Sequence, residues 1–335
     1  MQTITVPGLY CPFSPRINKY VIDTHLRTSQ WVRKFNLYDE AKFVKFLSDN
    51  YTWMVARFFP TANRERMQLA NDSHVLLFAM DDALDNQMNK SSVIENAASL
   101  HGFTEKCMHV LQNKERFTLA DGGPLLAGLT DVWDRTKALS SAQWQQHFEN
   151  GIRILFDAAA WEYRNTSTDR IPGIEEFMRM RPFAGAAHIS TDMIEIVEQI
   201  YLPEEILQHP KIDRLTKLAR GLVCWANDLY SCSKELEHGD THNLVKVISH
   251  EKRISLQRAV AKAVEIHDQE MNEFATLSAN LPVFSISMNK VVEKYAFVLS
   301  AILRGNIDWS TMETARYRFV YGPISATRKQ YGSVK

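Results

Sequence analysis

Residues 212–235 read IDRLTKLARGLVCWANDLYSCSKE, and this stretch decides the fold class. Its apolar residues recur three or four positions apart: Leu215, Leu218, Ala219, Leu222, Ala226 and Leu229. This spacing places them on one face of an α-helix, where a helical core can bury them. The stretch is therefore predicted to be a long helix with one buried face.

The same spacing returns closer to the C-terminus, between Phe284 and Ile302. It predicts a second long helix that starts behind Pro282 and stops at Gly305. Runs of alternating polarity that end in hairpin turns are not evident, so strands are not predicted. Prolines and glycines divide the remainder into segments of helical length, about ten to twelve helices in all. We predict an all-α protein with one domain over residues 1–335.

Composition excludes several classes of protein. The chain has 335 residues, of which 45% are hydrophobic, and its 39 Lys and Arg balance its 39 Asp and Glu. A global field that attracts nucleic acid is therefore not expected. No run of eighteen apolar residues predicts a membrane span. The four cysteines are scattered and the N-terminus lacks a signal-like pattern, so a cytoplasmic protein with free thiols and its full sequence is expected.

Three carboxylates follow the apolar run Val75–Phe78: Asp81, Asp82 and Asp85. On a helix, Asp81 and Asp85 share one face, one turn apart. Clustered carboxylate oxygens suit Mg²⁺, which keeps part of its hydration shell and often also binds phosphate. A short acidic pattern can also be an ordinary exposed helix turn, so this cluster alone leaves both interpretations open.

A second polar cluster ends the helix predicted first. Asn227, Ser231 and Glu235 recur every four positions and form a stripe about 12 Å long at 1.5 Å rise per residue. Their amide, hydroxyl and carboxylate oxygens could chelate a hard metal ion, and the adjacent Lys234 could reach a phosphate. The alternative is a solvated helix end on which Ser231 bonds only to its own backbone.

The two clusters together resemble the metal motifs of bacterial-type class I terpene synthases. Residues 81–85 resemble the aspartate-rich motif of that family, and Asn227, Ser231 and Glu235 match its N-D-x-x-S-x-x-x-E triad. Arg316 and Tyr317 stand where the family has an Arg-Tyr pair, and residues 305–310 resemble the approach to it. Residues 11–18 are similar to the N-terminal signature of the family. The resemblance therefore covers nearly the whole chain.

Residues 179–185, Arg-Met-Arg-Pro-Phe-Ala-Gly, resemble the region of the family that senses diphosphate. The resemblance makes Arg181 the sensor, Ala184 the linker and Gly185 the effector, just ahead of a break in the helix. Arg179 is the alternative sensor, because Met180 separates two arginines that are often adjacent in the family. Pro182 also departs from the usual pattern.

The resemblance implies a class I terpene synthase domain, a helical bundle with its active-site cavity between the central helices. It also implies three Mg²⁺ ions. Asp81 and Asp85 would hold two of them, and the triad would hold the third. The diphosphate would accept hydrogen bonds from four side chains, Arg181, Lys234, Arg316 and Tyr317. Asp82 would pair with one of the arginines when the site closes.

The implied reaction is ionisation of an isoprenyl diphosphate and cyclisation of the carbocation. Such a cation requires a dry cavity, and aromatic faces can stabilise it. Phe78 and Trp309 are the predicted cavity walls.

The substrate, the class of function and the oligomeric state stay open at this stage. The resemblance favours farnesyl diphosphate over geranylgeranyl diphosphate as substrate. A chain-elongating prenyltransferase would usually carry a second aspartate-rich motif in place of the triad. A non-catalytic helical binding protein and a homodimer are also compatible with the sequence.

Overall fold

The computed structural model describes residues 4–85, 97–238, 241–317 and 320–322. Within these ranges the chain forms fifteen α-helices, a π-helical turn and two short strands. The helices are α1 (Val21–Lys34), α2 (Glu40–Asp49), α3 (Tyr51–Phe58), α4 (Arg64–Asp85), α5 (Ala97–Leu111), α6 (Gly123–Leu139), α7 (Ala142–Ser167), α8 (Ile174–Ala184), α9 (Ala187–Asp192), α10 (Ile194–Glu198), α11 (Glu204–Leu207), α12 (Pro210–His238), α13 (Leu244–Lys252), α14 (Leu256–Ala279) and α15 (Ile286–Asp308). The π-helical turn (Trp309–Glu313) follows α15, and the strands are β1 (Thr5–Pro7) and β2 (Val320–Gly322).

Helix α12 occupies the centre of the molecule. It packs against α8, α9, α13, α14 and α15, and the apolar face predicted from the sequence is buried, with Leu215 and Leu229 at 0% exposure. The helix is longer at both ends than the predicted segment. It begins at Pro210, because proline is tolerated in the first turn, where its missing N–H would have no partner within the helix. The prediction of a long buried helix is confirmed.

Helix α15 starts behind Pro282, as predicted, but it does not end where the sequence predicted. Its start is fixed by Ser285, whose side chain accepts a hydrogen bond from the Met288 N–H. The prediction that it stops at Gly305 is wrong, because the helix continues through this residue to Asp308. A β-carbon on Gly305 would lie 2.6 Å from the Cβ of Arg57, so this glycine allows α15 to approach α3 closely. The residue serves packing between helices and does not end the helix.

The two strands form a parallel pair that joins the two ends of the chain, with Val6 opposite Tyr321. The side chain of Gln257, on α14, forms hydrogen bonds with both backbone groups of Thr5 in β1. Its Oε1 accepts a hydrogen bond from the Thr5 N–H at 3.0 Å, and its Nε2 donates to the Thr5 carbonyl at 2.8 Å. Strands of three residues are too short to show alternating polarity, so the sequence did not predict them.

The helix break predicted directly after residues 179–185 is present in the structure. Helix α8 passes through Pro182 and ends at Ala184, and Ala186 then adopts a left-handed conformation with φ of 53° before α9 begins. The break therefore separates α8 from α9 at Gly185 and Ala186.

A membrane-crossing helix needs both length and apolarity, and none of the helices in the described ranges combines the two.

Candidate active site

Side chains from α4, α8, α12 and the segment after the π-helical turn meet at one place. A chain of contacts links them: Arg181 to Asn227, Asn227 to Tyr317, and Arg316 to Asp81 through electrostatic attraction. These residues are spread over the sequence from Asp81 to Tyr317. The fold therefore brings the two predicted metal clusters and the predicted diphosphate donors to a common site.

Arg181 is held by two neighbouring residues of α12. Its Nε and Nη2 donate to Asp228 Oδ1 at 2.9 and 2.7 Å, and Nη2 also donates to Asn227 Oδ1 at 3.0 Å. Burial alone would lower the pKa of Arg181, but the fully buried carboxylate of Asp228 raises it well above its ordinary value. Arg181 is thus a fixed cation. Arg179, the alternative sensor, is exposed on α8.

Gly185 makes room for this guanidinium. A β-carbon at residue 185 would lie 2.5 Å from Arg181 Nη1 and 3.2 Å from the Sγ of Cys224. Any larger residue would therefore displace the end of the Arg181 side chain. The predicted pairing of Arg181 with Gly185 thus has a steric basis in the structure.

The predicted triad lies along one side of α12. Ser231 Oγ donates to the Asn227 carbonyl at 2.8 Å, which leaves the lone pairs of the hydroxyl oxygen available. Glu235 Oε2 accepts a hydrogen bond of 2.7 Å from Asn243 Nδ2, which also donates to the Asp228 carbonyl at 2.7 Å. Asn243 is the N-cap of α13, so the start of α13 fixes the position of the Glu235 carboxylate.

This donor set fits a magnesium ion. An amide oxygen, a hydroxyl oxygen and a carboxylate are the hard ligands that this ion prefers. Among the described side chains, no three His, Cys, Asp or Glu residues gather into a metal site. Asp85 ends α4, and its side chain lies outside the described residues.

Asp81 interacts electrostatically with three cationic side chains. Part of its surface is open to solvent, yet desolvation by the surrounding protein raises the pKa of this carboxyl group. The charge of Asp82 raises it further, whereas Arg316, Arg181 and Lys234 lower it, in that order. The pKa of Lys234 is itself lowered, first by burial and then by the positive charge of Arg316. Positive and negative groups are thus concentrated at the predicted diphosphate site.

Arg316 lies on an aromatic pair that reaches α4. Tyr51 and Phe78 stack with ring centroids 4.0 Å apart, and the guanidinium carbon lies 5.5 Å from each centroid. Nη1 of Arg316 also donates to the Tyr51 hydroxyl and, at 3.4 Å, to the Asp49 carboxylate. This arrangement holds a buried cation beside Asp81.

The two predicted cavity walls differ in their surroundings. Phe78 is partly buried, with one face against Tyr51. Trp309 is only 1% exposed, donates through Nε1 to the Asp49 carbonyl at 2.9 Å, and meets the Tyr317 ring edge to face at 5.7 Å. In this structure Trp309 packs against the ring of Tyr317. Contact of either ring with substrate stays a prediction.

Four residues with a clear part in this geometry were not predicted: Asp49, Tyr51, Asp228 and Asn243. Asp228 follows Asn227 within the motif and could have been suspected as a buried counter-charge for the sensor arginine. Asp49 and Tyr51 are separated from Arg316 by 267 and 265 positions, so no local pattern points to their contact.

Similarity to known proteins shows to which family the chain belongs. The family model described as terpene synthase family 2, C-terminal metal binding, matches residues 72–273, which include Asp81 and the whole triad. The chain belongs to terpene synthase family 2. The resemblance read from the motifs is confirmed, and the chain is a terpene synthase enzyme.

Two bacterial relatives match almost end to end. The (+)-T-muurolol synthase of Roseiflexus castenholzii, described as cyclising (2E,6E)-farnesyl diphosphate, is 31% identical over 91% of this terpene synthase and 92% of its own length. The germacrene A synthase of Nostoc punctiforme is 27% identical, over 95% and 96% respectively.

Solved structures support the fold. Germacradien-4-ol synthase from Streptomyces citricolor superposes with a TM-score of 0.78 at 19% identity, over 90% of this terpene synthase and 97% of that chain. An α-eudesmol synthase superposes with a TM-score of 0.76 over the same shares. The predicted all-α class I terpenoid synthase fold is confirmed.

Proposed function

We propose that this terpene synthase is a Mg²⁺-dependent cyclase that converts farnesyl diphosphate into a sesquiterpene and releases diphosphate. The observation that carries the proposal is the convergence of Asp81, Arg181, Arg316 and the triad of α12 on one site. The farnesyl chain length is supported by the printed activity of the Roseiflexus relative. Geranylgeranyl diphosphate is the alternative substrate.

The donor chemistry of the site accommodates the metal. Asp81 and Asp85 would hold two Mg²⁺ ions, and Asn227, Ser231 and Glu235 the third, which together would neutralise the charge that develops on the leaving diphosphate. Arg181 and Arg316 would supply donors in the planar geometry that suits phosphate oxygens, and Lys234 a point charge.

Arg181 is prepared for this task by its protein partners. Asp228 and Asn227 engage its Nε and Nη2, while Nη1, beside Gly185, makes no hydrogen bond within the described part of the chain. The guanidinium is therefore fixed in orientation with one nitrogen available to an incoming oxygen. Donors that are oriented before the reaction stabilise developing charge without reorganising during it.

The wall of the cavity would exclude water and stabilise the positive charge of the carbocation. We assign Phe78 to the cavity wall, because the ring lies one turn before Asp81 on α4 and is only partly buried. No side chain is required as a general base, since the released diphosphate can accept the final proton. Cytoplasmic location and a homodimer stay predictions.

The test is release of diphosphate from farnesyl diphosphate, measured against Mg²⁺ concentration. We expect turnover that a chelator abolishes and Mg²⁺ restores. The Asp81→Asn variant and the Asn227→Ala, Ser231→Ala double variant should lose turnover while circular dichroism still reports a helical protein. Ser29 bonds to the carbonyl of its own helix as Ser231 does, at 2.8 Å, and Ser29→Ala is the matched control that should stay active. Full activity in either metal-site variant would reject the assignment.

A further inference from the structure

Tyr38 lies between α1 and α2, and its hydroxyl group is buried. Its ring stacks on Phe46, with centroids 5.6 Å apart and an interplanar angle of 27°. Among the described residues, the hydroxyl oxygen makes no hydrogen bond as donor or acceptor. Leaving a buried polar group unpaired costs free energy, so a retained one calls for an explanation.

The ring of Tyr38 begins a row of aromatic side chains that leads to the active site. Phe46 lies 6.1 Å from Tyr51, which stacks on Phe78 at 4.0 Å, all between ring centroids. Arg316 lies over the last two rings. The row therefore connects Tyr38, through α2 and α3, to the aromatic pair beside Arg316.

The charged groups around Tyr38 belong to the active site. Burial raises the pKa of its hydroxyl above the ordinary value, and the negative charge of Asp82 is the next contribution in the same direction. Arg316, Asp49 and Asp81 follow as smaller influences. The hydroxyl is therefore protonated at any working pH, and it can act as a hydrogen-bond donor toward these carboxylates.

A donor without an acceptor beside a carboxylate cluster indicates a bond that forms in another state of the enzyme. We propose that Tyr38 is a positioning residue whose hydroxyl donates a hydrogen bond to Asp82 once diphosphate and metal are bound, and so holds this carboxylate toward Arg316. Asp82 already influences the pKa of Arg316 and of Lys234, so its orientation affects both diphosphate donors. The inference rests on the proposed function, because it requires a diphosphate-loaded site.

The Tyr38→Phe variant tests the proposal, since it removes only the hydroxyl. We expect kcat/KM for farnesyl diphosphate to fall about tenfold, as for loss of a hydrogen bond to a charged group, and inorganic diphosphate with Mg²⁺ to raise the melting temperature less than in the wild type. The melting temperature without ligands should be unchanged or higher, because an unpaired buried hydroxyl has been removed.

Tyr295→Phe is the matched control. Its hydroxyl bonds to Thr216 Oγ1 at 2.9 Å in the core, so its loss should lower the melting temperature and leave kcat/KM unchanged. Wild-type kcat/KM in Tyr38→Phe would overturn the proposal. So would a lowered melting temperature without ligands, because the hydroxyl would then already have a partner.

A double-mutant cycle with Asp82→Asn identifies the acceptor. The readout is stabilisation by inorganic diphosphate and Mg²⁺, which does not require turnover. If Tyr38 acts through Asp82, its substitution should have little further effect in the Asp82→Asn background. A full effect in that background would reject Asp82 as the acceptor. Wild-type protein assayed in parallel separates the two claims, because an inactive wild type contradicts the proposed function itself.

Discussion

Arg181 Nη2 lies 2.7 Å from Asp228 Oδ1, and Nε of the same guanidinium donates to the same oxygen at 2.9 Å. Asp228 is fully buried and Arg181 retains only 12% side-chain exposure. The second carboxylate oxygen of Asp228 accepts from the Leu244 N–H at 2.9 Å, so this single residue joins α8, α12 and α13. The predicted diphosphate sensor is therefore held rigidly against the helix that carries the predicted metal triad.

Removal of the Asp228 carboxylate should destabilise the protein strongly. Asp228→Ala leaves a buried guanidinium without its counter-charge, which typically costs about 3–5 kcal/mol of unfolding free energy. Glu273→Ala is the control, because the Arg214–Glu273 pair is exposed at 47% and 44% and such pairs contribute about 1 kcal/mol or less. Urea denaturation measures both. Equal losses in the two variants would contradict a central role for Asp228.

Gly185→Ala should reduce turnover more than stability. The new β-carbon would lie 2.5 Å from Arg181 Nη1, and the guanidinium can move away only by giving up its fixed orientation. A misplaced donor loses transition-state stabilisation, so we expect kcat to fall by about 100-fold. Gly102→Ala on α5 meets nothing within 4 Å and should keep full activity. Normal turnover in Gly185→Ala would show that the Arg181 guanidinium tolerates a β-carbon at residue 185.

Phe78→Ala should alter the product mixture. The substitution removes the ring that stacks on Tyr51 and lies under Arg316, and it opens space beside Asp81. Loss of an aromatic face should shorten the cyclisation cascade and shift products toward earlier, less cyclised hydrocarbons. Gas chromatography of the extract would detect the shift. An unchanged profile would show that Phe78 does not line the cavity.

His74 should make stability depend on pH between pH 6.5 and 4. Burial lowers the pKa of this imidazole to about 4, while its Nδ1 contacts the Ala70 carbonyl and its Nε2 contacts Ser190 Oγ. As the pH falls below 6.5, the unfolded chain binds a proton that folded His74 does not, so stability is lost on acidification.

The His74→Gln variant isolates this contribution, because all other titrating groups are retained. Between pH 7 and pH 4.5 the wild type should lose about 2 kcal/mol more unfolding free energy than the variant. Urea denaturation at the two pH values provides the comparison. A wild type that loses no more than His74→Gln would show that the imidazole titrates normally.

The sequence predicted those parts of the site that repeat at helical spacing. Asn227, Ser231 and Glu235 lie every four residues, so one helix places them together whatever surrounds it. The buried face of α12 follows from the same local rule. The metal motifs could thus be recognised before any tertiary contact was known.

Contacts between distant segments could not be predicted in this way. Tyr51 meets Arg316 across 265 positions, and the position of each depends on how α3 and the π-helical turn pack. The predicted helix end at Gly305 was wrong because it rested on a local rule alone. Glycine often ends helices, but here its missing side chain permits contact with Arg57, which only the tertiary structure reveals.

The most direct test of Mg²⁺-dependent cyclisation is to incubate the purified protein with geranyl, farnesyl or geranylgeranyl diphosphate, with and without Mg²⁺. The extracts are then analysed by gas chromatography–mass spectrometry. We expect a cyclic C15 product from farnesyl diphosphate that appears only with Mg²⁺. A cyclic product from geranylgeranyl diphosphate alone would correct the chain length. Absence of any cyclic product from all three substrates would contradict the assignment of this site as a terpene cyclase.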